Sequence, residues 1–371
     1  MKKQCSHDLQ EMITTVVKPI ETALHDFIVG QEEAVHHTLL SLLSVGQRDF
    51  NVKEKKPFSG CGHILFIGPT GSAKTVLCKK LASLIGGDYK RVQGTPDLLA
   101  TDITGFELLT LRPGVDETLK FREGPIFANI LLFDEVNRVP PKANAGPLEA
   151  MAEGTVTHAN QTYKLPEPFL VLANMNPSEQ GGTFQLHEAF SDRILFCVLM
   201  DEATEDEHVA IARKTEKLEE MSFDSVTTPE IMNGIRMLIF HQVRETDEVL
   251  RYIARINCSV NNPRSLGLFA KERAELGSGS LFLQRPPLNP RTTIFLRGAA
   301  RAQAALNYRD YVIPDDIRAV LPAVLRSRLS LLTEGALFAL TSEDGDLMYR
   351  DRQDLVSGLI REVKNKVPVV V

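Results

Sequence analysis

The 371-residue sequence predicts an α/β fold: a parallel sheet core with helices on both faces, followed by an all-α domain. Three observations lead there. Short, continuous apolar runs recur through the first half, as strands buried on both faces require. One of these runs leads through a glycine-containing loop straight into a helical pattern, the strand–loop–helix order of a phosphate site. Beyond about Asp201 the strand signal fades and helical periodicity takes over.

The strand candidates are 63–67, 130–133, 169–173 and 194–199, four runs of four to six apolar residues. In an open parallel sheet, ligands bind outside the carboxyl ends of the strands, so Gly68, Asp134 and the stretch Asn174 to Asn176 should converge on one site. The helical windows are strongest at 201–217, 228–244 and 290–306. Asn261-Asn262-Pro263, Gly277-Ser278-Gly279-Ser280 and Pro286-Pro287 break that pattern and mark an exposed loop. The length also favours two domains, because one core rarely organises so many residues.

The chemistry is concentrated after the first strand. Gly68-Pro69-Thr70-Gly71-Ser72-Ala73-Lys74-Thr75 precedes a helical run over 76–85. Its glycines let backbone N–H groups turn inward around phosphates; Lys74 reaches the β and γ oxygens, and the Thr75 hydroxyl ligates Mg²⁺. The helix N-terminus adds its dipole. Ala73 departs from the general pattern, which has glycine before the lysine. The second strand delivers Asp134-Glu135 to the same edge. An Asp-Glu pair read alone is more often a helix cap. With the loop upstream, Asp134 becomes a candidate for the metal shell and Glu135 for the group that aligns and deprotonates the attacking water.

Composition excludes several classes. Hydrophobic residues at 43% and charged residues at 24% describe a folded globular chain. No apolar run is long enough for a membrane span, and the N-terminal residues turn polar before a signal region forms, so a cytoplasmic location is expected. The five cysteines are scattered without a CxxC pair, which argues for free thiols in a reducing compartment. A net charge of −6 and the absence of tryptophan disfavour nucleic acid as a partner. The nine histidines show no metal-binding spacing, and Lys53 to Lys56 reads as a solvated loop.

Taken together, these residues resemble the MoxR-type AAA+ ATPases, the helix-2-insertion branch akin to magnesium-chelatase ATPase subunits. Ile28-Val29-Gly30-Gln31-Glu32 is similar to that family's opening motif beside the adenine pocket, and the loop with Ala73 is a form the family uses. Thr95 to Gly105, then Gly124 to Asn129, resemble the segment through the insertion, placed near 100–124; Asp134 to Arg138 and Pro140-Pro141-Lys142 resemble the second acidic motif. The resemblance implies a P-loop NTPase core over 1–200 and a helical lid over 201–371. It also implies ATP with Mg²⁺, a hexameric ring, a client protein, and a separate von Willebrand factor A partner. By position it makes Asn176 sensor 1, with Asn174 as competitor, and Arg193 the arginine finger that enters a neighbour's site. Sensor 2 falls on Arg291 in preference to Arg264. Asn289 stands where the family usually has serine, and the loop over 277–287 is lengthened.

Three functions fit these motifs. The favoured one is a ring-shaped, ATP-hydrolysing remodeller of a partner protein or metalloenzyme complex. The second is an ATP-dependent assembly switch with little turnover. The third, a nucleic-acid motor or loader, has only Arg112 and Lys120 in the insertion to support it, beside Asp116 and Glu117. No Asn-Lys-x-Asp string selects guanine.

Overall fold

The computed structural model describes residues 8–45, 62–69, 71, 73–110, 118–176, 186, 188–218, 224–268, 288–329 and 352–369. Thr70, Ser72, the 53–56 lysines, 111–117 and the 277–287 loop lie outside the described residues.

Helices α1 (Lys18–Phe27) and α2 (Glu32–Leu43) precede strand β1 (His63–Ile67), and α3 (Lys74–Leu84) follows it. Strand β2 (Tyr89–Gln93) comes next, then a short helix α4 (Ala100–Thr104) and a hairpin, β3 (Gly105–Thr110) with β4 (Thr118–Glu123). After β5 (Ile130–Asp134) and α5 (Ala145–Glu153), a second hairpin joins β6 (Thr155–His158) to β7 (Gln161–Lys164). Strand β8 (Leu170–Met175), helix α6 (Glu188–Ser191) and β9 (Ile194–Leu199) finish the sheet. The described remainder is helical: α7 (Glu205–Leu218), α8 (Pro229–Gln242), α9 (Asp247–Asn261), α10 (Pro290–Leu306), α11 (Pro314–Arg326) and α12 (Arg352–Lys366).

The core sheet is parallel in the order β2-β5-β8-β1-β9. Side chains alternate across it. Ile64 and Phe66 face one apolar cluster with α1, α2 and α3, while Leu65 and Ile67 face a second with α5 and the β6–β7 hairpin. Both faces are covered at β1, β5 and β8, so these strands carry no polar alternation. The first cluster runs on without a break into α8 to α12, so the later helices share the core of the first.

Strand β9 is an edge strand yet buried over 194–198, and helix α11 explains why. Beyond the end of that helix, the Arg328 guanidinium donates to the carbonyls of Ile194 and Val324 at 2.5 and 2.7 Å, and Arg326 donates to Cys197 O at 2.8 Å. Edge carbonyls that would otherwise need water are thus capped. Burial pushes the Arg328 pKa down to about 10, and its guanidinium also lies over the Phe295 ring.

The four predicted strands form, α8 and α10 fall inside the predicted helical windows, and α7 runs one residue past its own. Thr228 and Thr246 cap α8 and α9 by accepting the N–H groups of Ile231 and Val249. The sequence reading lacked β2 and both hairpins. Among the described residues, no helix is long and apolar enough to cross a membrane.

Candidate nucleotide site

Gly68 leaves β1 at the carboxyl edge of the sheet, where its N–H donates to Met175 O at 3.3 Å. The chain then turns through Gly71, at φ +84°, and Ala73, at φ +60°, into α3. Position 73 is therefore left-handed, the reason a glycine is usual there. Lys74 is 8% exposed and folds back on the loop, donating to Gly68 O at 2.9 Å and Pro69 O at 2.8 Å. Burial lowers its ammonium pKa, and Asp134 opposes the shift. Thr75 follows in the first turn of α3.

Asp134 ends β5, and Glu135 takes φ +49°, a strained backbone for a side chain of this kind. Two neighbours hold it there. Asn174 Oδ1 accepts the Glu135 N–H at 2.8 Å, and Gly94 passes so close that a methyl group on it would sit 2.2 Å from Glu135 O. Asn174 is thereby committed to the backbone of the acid pair, while Asn176 stands one residue past the end of β8, beside Gly68 in register. Both acids carry arginines. Arg91 of β2 donates to Asp134, and Arg138 Nε lies 3.1 Å from Glu135 Oε2.

The opening motif forms the wall of a cleft of about 450 Å³ lined by Ile28, Val29 and Gly30 together with Ala210 and Lys214 of α7. Gly30 sits at φ +71°, and a methyl group there would collide with the Glu207 carboxylate. Gln31 Nε2 donates to Asp201 O at 3.0 Å, and Met200 N–H donates to Ile67 O at 2.8 Å, so the cleft adjoins the phosphate loop. His25, Glu32 and Lys214 add polar groups to the apolar Ile28, Val29 and Ala210, and a mixed cleft of this kind beside a phosphate loop suits a nucleotide base.

Residues 63–196 match the ATPase family associated with various cellular activities, and 288–344 match the AAA lid domain. Chaperone MoxR1 of Mycobacterium tuberculosis is 32% identical over 88% of this chain and 79% of its own length. A Bacillus subtilis protein, YeaC, is 35% identical over 84% of this chain and 90% of its own. The crystal structure of an ATPase candidate from Cytophaga hutchinsonii, 27% identical, superposes with a TM-score of 0.78 and full coverage of both chains. The chain belongs to the MoxR-type AAA+ ATPases.

In this MoxR-type chain the remaining predicted residues lie elsewhere. Arg193 precedes β9, and Ile194 pairs with His63 at the start of β1. The phosphate loop leaves the other end of β1, five residues or about 16 Å away. Arg193 therefore stands at the amino edge of the sheet, where it donates to Leu148 O at 2.8 Å and Ala189 O at 2.7 Å. Burial lowers its pKa, and Arg291 adds to the shift.

Arg291 shares this edge. Asn289 Nδ2 donates to Asp192 Oδ1 at 3.1 Å while its Oδ1 accepts from Thr292 N–H, so the unusual asparagine both caps α10 and ties it to the Asp192–Arg193 turn. Arg264 lies exposed in the turn Pro263–Leu266. Arg291, the sensor 2 position of the resemblance, thus lies at a helix start that is tied to Asp192. Arg291 belongs to the edge opposite the chain's own loop, in a patch where Arg193, Arg291 and Arg328 gather around Asp192.

Sequence reasoning missed Arg91, Arg138 and Gly94. The i,i+3 spacing of Glu135 and Arg138 was a usable signal, as was the shared face of Arg91 and Gln93 once β2 is a strand.

Proposed function

We propose that this MoxR-type protein is an ATP-hydrolysing enzyme whose active sites form between subunits of a ring, most simply a hexamer, and whose shape change remodels a client protein. One observation carries this reading: the phosphate loop and acid pair occupy one edge of the sheet, while Arg193 and Arg291 occupy the other. Two edges of this kind complement each other head to tail, the arrangement that closes rings.

The loop residues suit Mg²⁺·ATP. Thr75 and Asp134 offer hard oxygen donors beside Lys74, and the described residues hold no cluster of three metal-ligating side chains, so the remaining ligands would come from phosphate and water. Bound Mg²⁺ would neutralise charge on the β and γ oxygens. Lys74 exchanges its two loop carbonyls for phosphate oxygens. Glu135 takes a proton from the water whose oxygen attacks the γ-phosphorus, and the bond to the β–γ bridging oxygen breaks to release ADP. Asn176, beside Gly68, orients that water. A neighbour's Arg193, with Arg291 beside it, offsets charge on the transferring group. Arg291 lies in the first turn of α10, where a cation meets the positive end of the helix dipole, so its placement serves phosphate better than it serves the helix.

A separate chain with a von Willebrand factor A domain is the partner class we favour, and a cytoplasmic location fits the free cysteines Cys78, Cys197 and Cys258. The test is Mg²⁺-dependent ATP hydrolysis per subunit as protein concentration rises. Specific activity should climb to a plateau with assembly. Flat activity from a monomer would contradict a shared site, and tight ATP binding without turnover would favour the assembly-switch reading.

A further inference from the structure

Arg91 has no place in the mechanism above, yet it makes a short hydrogen bond to the acid that would face the metal. It projects from β2, the edge strand beside β5, on the same face as Gln93, whose Cα pairs with that of Asp134. Its Nη2 donates to Gln93 Oε1 at 2.6 Å and to Asp134 Oδ2 at 2.5 Å. Lys74 also feels the Asp134 charge. Asp134 is nearly buried, with 13% of its side chain exposed, whereas the Arg91 side chain is 47% exposed. A half-solvated guanidinium on a buried carboxylate is a counter-ion that can leave at small cost, since its charge remains hydrated when it moves.

We propose that Arg91 is an exchangeable counter-ion of Asp134 that sets the Mg²⁺ requirement of the site. The inference rests on the Mg²⁺·ATP reading of the loop. Arg91 neutralises the carboxylate until metal arrives with nucleotide, and it keeps free Mg²⁺ from settling there alone. Gln93 holds the guanidinium on station by accepting its second hydrogen bond. Arg91 is thus a positioning residue: it acts through Asp134 and touches no phosphate.

The expected signature is a shift in metal dependence without a change in metal-free nucleotide binding. A pair solvated on its arginine side contributes little, so removing Arg91 should lower the Mg²⁺ concentration for half-saturation about threefold to fivefold. The experiment titrates Mg²⁺ into full-length protein bound to a fluorescent, non-hydrolysable ATP analogue, and measures analogue affinity separately in EDTA. Arg91→Met should shift the Mg²⁺ midpoint downward. Gln93→Leu should shift it the same way by less, and Arg91→Lys should restore most of it. Analogue affinity in EDTA should stay within about twofold for all three.

An unchanged or raised midpoint in Arg91→Met would overturn the proposal. Weakened binding in EDTA would overturn it too, because Arg91 would then be a phosphate ligand. Wild-type protein that fails to bind the analogue under any condition would overturn the Mg²⁺·ATP reading, and the two failures are therefore distinguishable. Since Arg91 and Gln93 lie on a sheet edge, the melting temperature should stay near that of the wild type and so confirm a folded variant.

Discussion

Gly94→Ala tests whether the acid pair depends on close backbone approach. The added Cβ would lie 2.2 Å from Glu135 O, 2.9 Å from Glu135 C and 3.0 Å from Asp134 O. All three are backbone atoms, so no rotamer change relieves the clash. Contacts below 3.0 Å are essentially never seen, so β2 and the Asp134–Glu135 turn must separate by nearly an ångström. The separation also strains the Gly94 N–H bond to Asp134 O, now 2.7 Å. Overpacking of this kind costs about 1–3 kcal/mol of stability. A misplacement of about 1 Å at a catalytic group costs roughly 100-fold in rate, so kcat should fall by that order. ATP affinity should stay within about threefold, because the phosphate loop follows β1, separated from β2 by β5 and β8. Steady-state phosphate release, nucleotide binding and thermal unfolding measured together would check this. A wild-type kcat, or ATP binding lost in step with kcat, would refute the reasoning.

Two further outcomes follow from the same geometry. Ala73→Gly removes a left-handed alanine that costs about 1–2 kcal/mol, and glycine returns about 0.5–1 kcal/mol of that as backbone entropy. Urea unfolding should show a gain of up to about 1 kcal/mol; a loss would mean that the Ala73 methyl packing against the apolar core outweighs the strain. Stability should also fall in acid. His63 donates to Met151 O through Nε2 and accepts Val171 N–H on Nδ1, and burial lowers its pKa to about 4, as it does for His37. The unfolded imidazoles take their protons near 6.5, so the unfolded state binds more protons and stability drops as pH falls from about 6.5 towards 4, by up to roughly 3 kcal/mol for each residue. A flat unfolding free energy between pH 7 and about 5 would contradict this.

The sequence made the site's carboxyl edge legible because strands buried on both faces read as plain apolar runs. Gly68, Asp134 and Asn174 to Asn176 come together there as the topology rule predicts. Strand β2 escaped for the opposite reason. As an edge strand it exposes Lys90 and Arg91, and its single buried residue, Val92, leaves no run to find. The two hairpins were hidden by mixed composition: Phe121 stacks on Tyr163 at a centroid distance of 4.2 Å, a pairing between hairpins that no local window contains. Arg193 carried no local signal, since an arginine before a strand looks like any surface cation, and only the family resemblance singled it out. The side of the sheet on which Arg291 falls depended on the tie between Asn289 and Asp192, residues 97 apart in the chain. Spacing alone could not supply it.

The most direct measurement mixes two inactive variants, Lys74→Ala and Arg193→Ala, and follows ATP hydrolysis. Each alone lacks one half of every composite site. If sites form between subunits, random mixing in equal amounts pairs an intact loop with an intact arginine at roughly a quarter of interfaces, and activity should return to about that fraction of wild type. An Arg193→Ala protein that is fully active alone, or a mixture that assembles yet stays silent, would contradict the account.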